Sequence, residues 1–169
     1  MKKTILLLLV SGLITLVGSS ANAQKPPPRH VTATSERALG FRTGYTSWHD
    51  VQQLHLGAHV KAGELFPNVQ FTPNVEIGFG GHTTIITVNG DLAYSFTELV
   101  TQPWNIYGGG SLSFNTFNPR GSSVQVHLGL SLLGGLERTF DNGNQGLVEM
   151  RFGILDSPSF KLTFGYTLF

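Results

Sequence analysis

From Ala38 to Phe169, apolar and polar side chains alternate with a period of two. The alternation recurs in eight segments, about 38–48, 54–63, 68–79, 85–96, 104–116, 123–138, 146–155 and 160–169. Extended backbone turns successive side chains to opposite faces, so this period predicts strands, and no helical period competes with it. Strands of ordinary globular proteins have about five or six residues. These segments are longer and match the roughly 9–11 residues that a tilted strand needs to cross a membrane. Turn chemistry separates them: Phe66-Pro67-Asn68, Gly80-Gly81-His82, Asn118-Pro119-Arg120-Gly121, Asp141-Asn142-Gly143-Asn144 and Asp156-Ser157-Pro158-Ser159. Consecutive strands are therefore expected to pair as hairpins.

One face of each strand is almost wholly apolar, as in Leu54, Leu56, Ala58 and Val60, or Leu128, Leu130 and Leu132; the first strand shows it weakly through Leu39, Phe41 and Tyr45. The opposite face carries Arg42, His55, His59, Lys61, Glu76, Asp91, His127, Glu137, Glu149, Arg151 and Lys161, together with Gln70, Asn74, Asn89, Asn105, Tyr107 and Gln125. A soluble lipocalin-like barrel, apolar inside and polar outside, would alternate in the same way. Three features favour the inverted arrangement. The apolar face is too bulky for the interior of an eight-stranded barrel, which side chains only just fill. The charges on the polar face are few and balanced between acid and base, as groups pairing in a narrow interior must be. Aromatic residues collect at strand ends, Trp48, Phe79, Phe117 and Phe160 near one rim and Phe66, Phe96, Trp104, Phe140 and Phe169 near the other, the expected pair of interfacial girdles. Lipid offers no partner to a free sheet edge, so the expected fold is all-β, a single closed eight-stranded antiparallel up-and-down barrel.

The first residues change the picture of where the chain goes. Lys2 and Lys3 precede an apolar run to Val17, and Ala21-Asn22-Ala23 then supplies the small residues of a cleavage site before Gln24. This is a secretory signal peptide over 1–23, with Ala21 and Ala23 as the cleavage residues. An uncleaved anchor helix is the alternative, but Gly12, Gly18, Ser19 and Ser20 dilute the run. Residues 24–36, with Pro26-Pro27-Pro28, are expected to form an extended leader, and 37–169 the barrel.

The remainder is of a size for one domain. Cysteine is absent, so stability must come from closure of the sheet and not from disulfides. The full chain carries 11 basic and 10 acidic residues, and loss of Lys2 and Lys3 leaves no basic excess to hold nucleic acid.

With its signal peptide, eight alternating strands and final segment Lys161-Leu-Thr-Phe-Gly-Tyr-Thr-Leu-Phe169, the chain resembles the small outer-membrane β-barrel proteins of OmpA/OmpX type. The resemblance implies location in the bacterial outer membrane, outer-membrane lipids as surroundings, a monomer, and recognition of the last strand by the barrel assembly machinery. Phe169 would lead that signal, with Phe164 and Tyr166 as weaker members. Phe169 is out of phase with Leu162, Phe164, Tyr166 and Leu168, which predicts a bulge or bend at the end.

Some barrels of this size modify lipid A, and their chemistry needs a serine and a histidine within hydrogen-bond reach. His127 and Ser131 are four apart, about 13 Å along a strand, too far for a hydrogen bond. Asp156-Ser157 is better explained as a turn before Pro158. His55 and His59 are also about 13 Å apart along a strand, beyond sharing one metal. No catalytic, cofactor or metal residues are therefore expected. The expected function is a non-enzymatic envelope or structural barrel; a small porin-like pore, or a binder of small apolar molecules, is the alternative, and a lipid A-modifying enzyme ranks after it. With the amino end in the periplasm, the outward loops would be 49–53, 80–84, 117–122 and 156–159, all short.

Overall fold

The computed structural model describes residues 37–81, 83–119 and 123–169. The signal peptide with Ala21 and Ala23, and the leader 24–36, lie outside the described residues, as do His82 and 120–122. Among the described residues nine strand segments follow in chain order: β1 (Ala38–Trp48), β2 (Val51–Lys61), β3 (Gly63–Phe66), β4 (Val69–Gly80), β5 (Thr83–Ser95), β6 (Trp104–Pro119), β7 (Gln125–Thr139), β8 (Gln145–Leu155) and β9 (Phe160–Leu168).

Every pairing is antiparallel, and β1 pairs with β2 on one side and with β9 on the other, which closes the sheet. β2 and β3 form one stave, because both pair with β4 and the Ala62 N–H between them donates to Phe71 O at 3.0 Å. The result is a closed antiparallel barrel of eight staves. His59 stands opposite Asn74 but Gly63 opposite Phe71, so one extra residue is inserted where Gly63 adopts a φ of 106°, a bulge that a single-period reading of 54–63 misses. Following the pairings once around the wall returns to β1 about ten residues farther on, a stagger that tilts the strands against the barrel axis.

The alternation is realised with the polar face inside. His55 and Thr167 are 1% and 0% exposed, while Leu54 and Val126 are 69% and 66% exposed. Few large apolar residues are buried; the centre of the barrel is polar and its outside is a continuous apolar wall.

At one end, called here the Trp48 end, the connections are shorter than the expected loops. β1 runs to Trp48 and β2 starts at Val51; β4 ends at Gly80 and β5 starts at Thr83; β6 extends through Pro119. Tight turns leave their flanking residues free to continue the ladder, which is why the strands absorb most of 49–53, 80–84 and 117–119. β7 pairs with β8 only as far as Leu130 opposite Leu155, so Gln125–Gly129 rise above their neighbour. Residues 156–159 fold back into this lower part of the rim and bury Ser157 and Pro158. Asn115 Nδ2 donates to Asp156 O at 3.0 Å, and the hydroxyls of Ser113 and Ser157 lie 3.2 Å apart. Two glycines make this entry possible: a Cβ on Gly129 would meet Ser157 Oγ at 2.3 Å, and one on Gly153 would meet Pro158 O at 2.5 Å.

At the opposite, terminal end lie the start of β1, the end of β9 and the connections 67–68, 96–103 and 140–144.

Candidate functional site

The interior is stacked in layers, each built by inward positions of several strands. Nearest the terminal end, Lys61 of β2 reaches across to donate to Glu137 Oε2 of β7 at 2.5 Å and to Gln145 Oε1 of β8. The Phe169 ring stands 5.8 Å from the same ammonium.

The central layer balances three cations, Arg42, Arg151 and Lys161, against three anions, Glu76, Asp91 and Glu149. Arg151 donates to Asp91 Oδ2 at 2.7 Å, Glu149 Oε1 at 2.8 Å and Ser111 Oγ at 2.9 Å. Arg42 lies 3.3 Å from Glu76, 3.7 Å from Asp91 and 3.9 Å from Glu149, and Lys161 donates to the other Glu76 oxygen. Neutral groups take up further lone pairs: Asn74 donates to Asp91 at 2.7 Å, Asn89 to Asn74 at 2.7 Å, and the Tyr107 hydroxyl to Glu149 at 3.2 Å. Burying charges is costly, and matched, hydrogen-bonded partners are what make such a layer tolerable.

Each histidine bonds to its own partners. His55 is held between Thr46 Oγ1 (2.9 Å from Nδ1) and Thr163 Oγ1 (3.2 Å from Nε2), and His59 Nε2 lies 2.8 Å from Thr167 Oγ1. Above them, Gln53 donates to Gly80 O at 3.1 Å and to Thr83 O at 2.6 Å.

At the Trp48 end three rings pack together. Trp48 is only 4% exposed and meets Phe117 edge-on at 4.2 Å; His127 lies 5.4 Å from Phe117 and 6.5 Å from Trp48. This corrects two expectations. Trp48 and Phe117 belong to no lipid-facing girdle, since Trp48 shares the inward parity of Arg42 and Thr46, and Phe117 that of Ser113 and Asn115. His127 is no member of the polar network: it sits on the raised end of β7, above the charge layer, and is half-buried among rings. The other ten residues expected in the network are buried on the inner face, with Arg42, Lys61, Glu76, Asp91, Glu137, Glu149, Arg151 and Lys161 in ion pairs. Thr46, Thr163, Thr167 and Gln53 are partners that the sequence reading does not name, although their parity with Arg42, Lys161 and His55 is the signal for them.

A cavity of about 30 Å³ lies between the Lys61 and Arg42 layers. That is room for a few water molecules at most. Arg42 Nε, His59 Nδ1, Asp91 Oδ1 and Asn105 Oδ1, on four residues that line it, have no protein hydrogen-bond partner. A second space, beside His55 and Lys161, measures about 10 Å³. Ser157 is taken up by Ser113, and among the described residues no three His, Cys, Asp or Glu side chains converge as a metal site. In the last strand Phe164 and Tyr166 stand on the outward face, while Phe169 lies beyond β9 and its N–H donates to Asn144 Oδ1 at 3.2 Å.

No protein-family model matches the chain, and no curated protein sequence does. Among solved structures it is similar to neisserial surface protein A, at 15% identity and a TM-score of 0.54, over 78% of this chain and 94% of that one. A second similar structure is the Yersinia pestis outer membrane protein Ail in a phospholipid bilayer nanodisc, at 13% identity and a TM-score of 0.45, over 79% of this chain and all of Ail. The first likeness, at its low identity, is one of fold.

Proposed function

We propose that the chain is an integral bacterial outer-membrane barrel with a structural or envelope role, a closed lumen and no catalytic site. The observation that carries this reading is the inversion of polarity: a continuous apolar exterior surrounds a charge-neutral, hydrogen-bonded interior. A wall of exposed Leu, Val and Phe is stable against lipid and not against water. Its barrel fold, which it shares with neisserial surface protein A, is consistent with this. In that setting the terminal end faces the periplasm, the chain is a monomer among outer-membrane lipids, and the last strand with Phe164, Tyr166 and Phe169 serves the barrel assembly machinery. Export by a signal peptide cleaved after Ala23 completes the reading.

Within it, a structural barrel is favoured over a pore, because ion pairs bridge the lumen in two layers and rings fill a third. The test is fractionation of envelopes with gel mobility before and after boiling, followed by planar-bilayer recording. The expected result is an outer-membrane, heat-modifiable band without steady conductance. A soluble periplasmic band would overturn the membrane assignment, and steady single-channel currents would overturn the closed lumen.

A further inference from the structure

Four polar atoms face one chamber with nothing in the protein to bond. They are Arg42 Nε, His59 Nδ1, Asp91 Oδ1 and Asn105 Oδ1, and their residues all line the cavity of about 30 Å³ between the Lys61 and Arg42 layers. Arg42, His59 and Asp91 are at most 3% exposed, so bulk solvent does not stand in for a partner.

Each atom is the idle end of a group that is otherwise engaged. Asp91 Oδ2 accepts from Asn74 and from Arg151, while Oδ1 accepts from no protein group. Arg42 turns its terminal nitrogens to Glu76, Asp91 and Glu149 and leaves Nε over. His59 Nε2 lies against Thr167 Oγ1 at 2.8 Å, and Asn105 Nδ2 donates to Ser95 Oγ at 3.2 Å. Leu133 and Leu147 line the chamber from β7 and β8 and supply no polar group, and Ala93 of β5 brings only a methyl group. A buried carboxylate oxygen without a hydrogen bond is costly, and folded chains rarely keep one.

We infer that the chamber is a binding site for about two water molecules, held by these four atoms. At about 10–15 Å³ for each water, the volume fits that number. Two waters bonded to each other keep three hydrogens. These serve Asp91 Oδ1, Asn105 Oδ1 and His59 Nδ1, an acceptor when Nε2 carries the ring proton, and a lone pair remains for the Arg42 Nε–H. Charge decides against an ion. Arg42, Lys61, Arg151 and Lys161 already balance Glu76, Asp91, Glu137 and Glu149 in ion pairs. A cation would bring an unmatched charge against the Arg42 N–H, and an anion would meet Asp91 Oδ1. Inward residues on the terminal side of the chamber, Gln70, Thr72, Ser95 and Asn105, are half-buried, while Thr87, Ser113 and Asn115 beyond the charge layer are buried, so the waters enter from the terminal end. Nothing in this site depends on what surrounds the barrel.

Oxygen-17 relaxation dispersion of the solvent counts water molecules that a protein holds for longer than it takes to tumble, and exchanging protein hydrogens do not enter the signal. The refolded barrel in detergent micelles is compared with A93V, whose added methyl groups take up about the space of these waters. A58V, the same change on the outward face of β2, is the control. A93V should lose about two long-lived waters, and A58V none. A93T has the shape of A93V but keeps a hydroxyl for the polar lining, so its urea midpoint should lie above that of A93V. Crowding alone would treat the two variants alike, and a dry chamber would favour valine. A water count unchanged by A93V, or an A93V barrel at least as stable as A93T, would overturn the site. Should A93V fail to fold, A93S decides: its hydroxyl should displace about one water, and a count equal to the native one would overturn the site as well.

Discussion

Arg151 shows how much a single residue holds inside this barrel. Its two terminal nitrogens serve Asp91, Glu149 and Ser111, residues from three different strands, in a space without bulk water. Truncation leaves two buried carboxylates with one cation fewer, and breaking a buried pair from one side costs about 3–5 kcal/mol. We expect R151M to lower the urea midpoint of the vesicle-inserted barrel accordingly. Adding D91N should restore part of the loss, a coupling that a double-mutant cycle reads directly. That charged residues would face each other inside was legible in the alternation of Arg42, Glu76, Asp91 and Arg151. Which acid would meet which base was not. Asp91 and Arg151 are sixty residues apart, and they meet only because of the stagger accumulated around the wall. Alternation along one strand carries no information about that stagger.

Single strands and turns were more legible than their ends. The period-two pattern locates all eight staves, yet the aromatic character and terminal position of Trp48 and Phe117 point to a rim, while their parity turns them inward. The ladder continues to its last residue, so parity outranks position. Turns act in the opposite direction, since a backbone dihedral and not a side-chain pattern decides them. Asn68 has a φ of 62° in the two-residue connection between β3 and β4. A β-branched side chain there should cost about 1–2 kcal/mol, so N68V is expected to destabilise the hairpin while N68G is tolerated, as equilibrium unfolding will show. The tucked 156–159 segment depends on the absence of a side chain at Gly129, where a Cβ would collide with Ser157. We expect G129A to evict this segment. A cysteine placed at Thr46 in this cysteine-free chain should react slowly with a charged thiol reagent in the folded barrel, and faster once G129A is added. Unchanged protection would show that the rings alone seal the end.

For the molecule as a whole, the deciding question is which solvent the apolar wall meets. Val88 lies on β5, is 51% exposed, and stands opposite Val75 on β4 and Phe114 on β6, far from either end of its strand. On a soluble barrel a half-exposed valine would accept arginine with a change within about 0.5 kcal/mol, as surface substitutions do. In a bilayer the same arginine lies near the hydrocarbon midplane, where the cost is about 2–4 kcal/mol, falling to about 0–1 near the interface. The described residues already follow this gradient: their one outward strand cation, Arg138, stands in the terminal row among rings, and the mid-height positions around Val88 are aliphatic or aromatic. V88R should therefore lower the stability of the barrel in vesicles by about 2–4 kcal/mol in urea titrations, with the inward charge layer intact as a control. A neutral outcome would mean that water reaches Val88, and the polar interior would then need an explanation other than lipid outside.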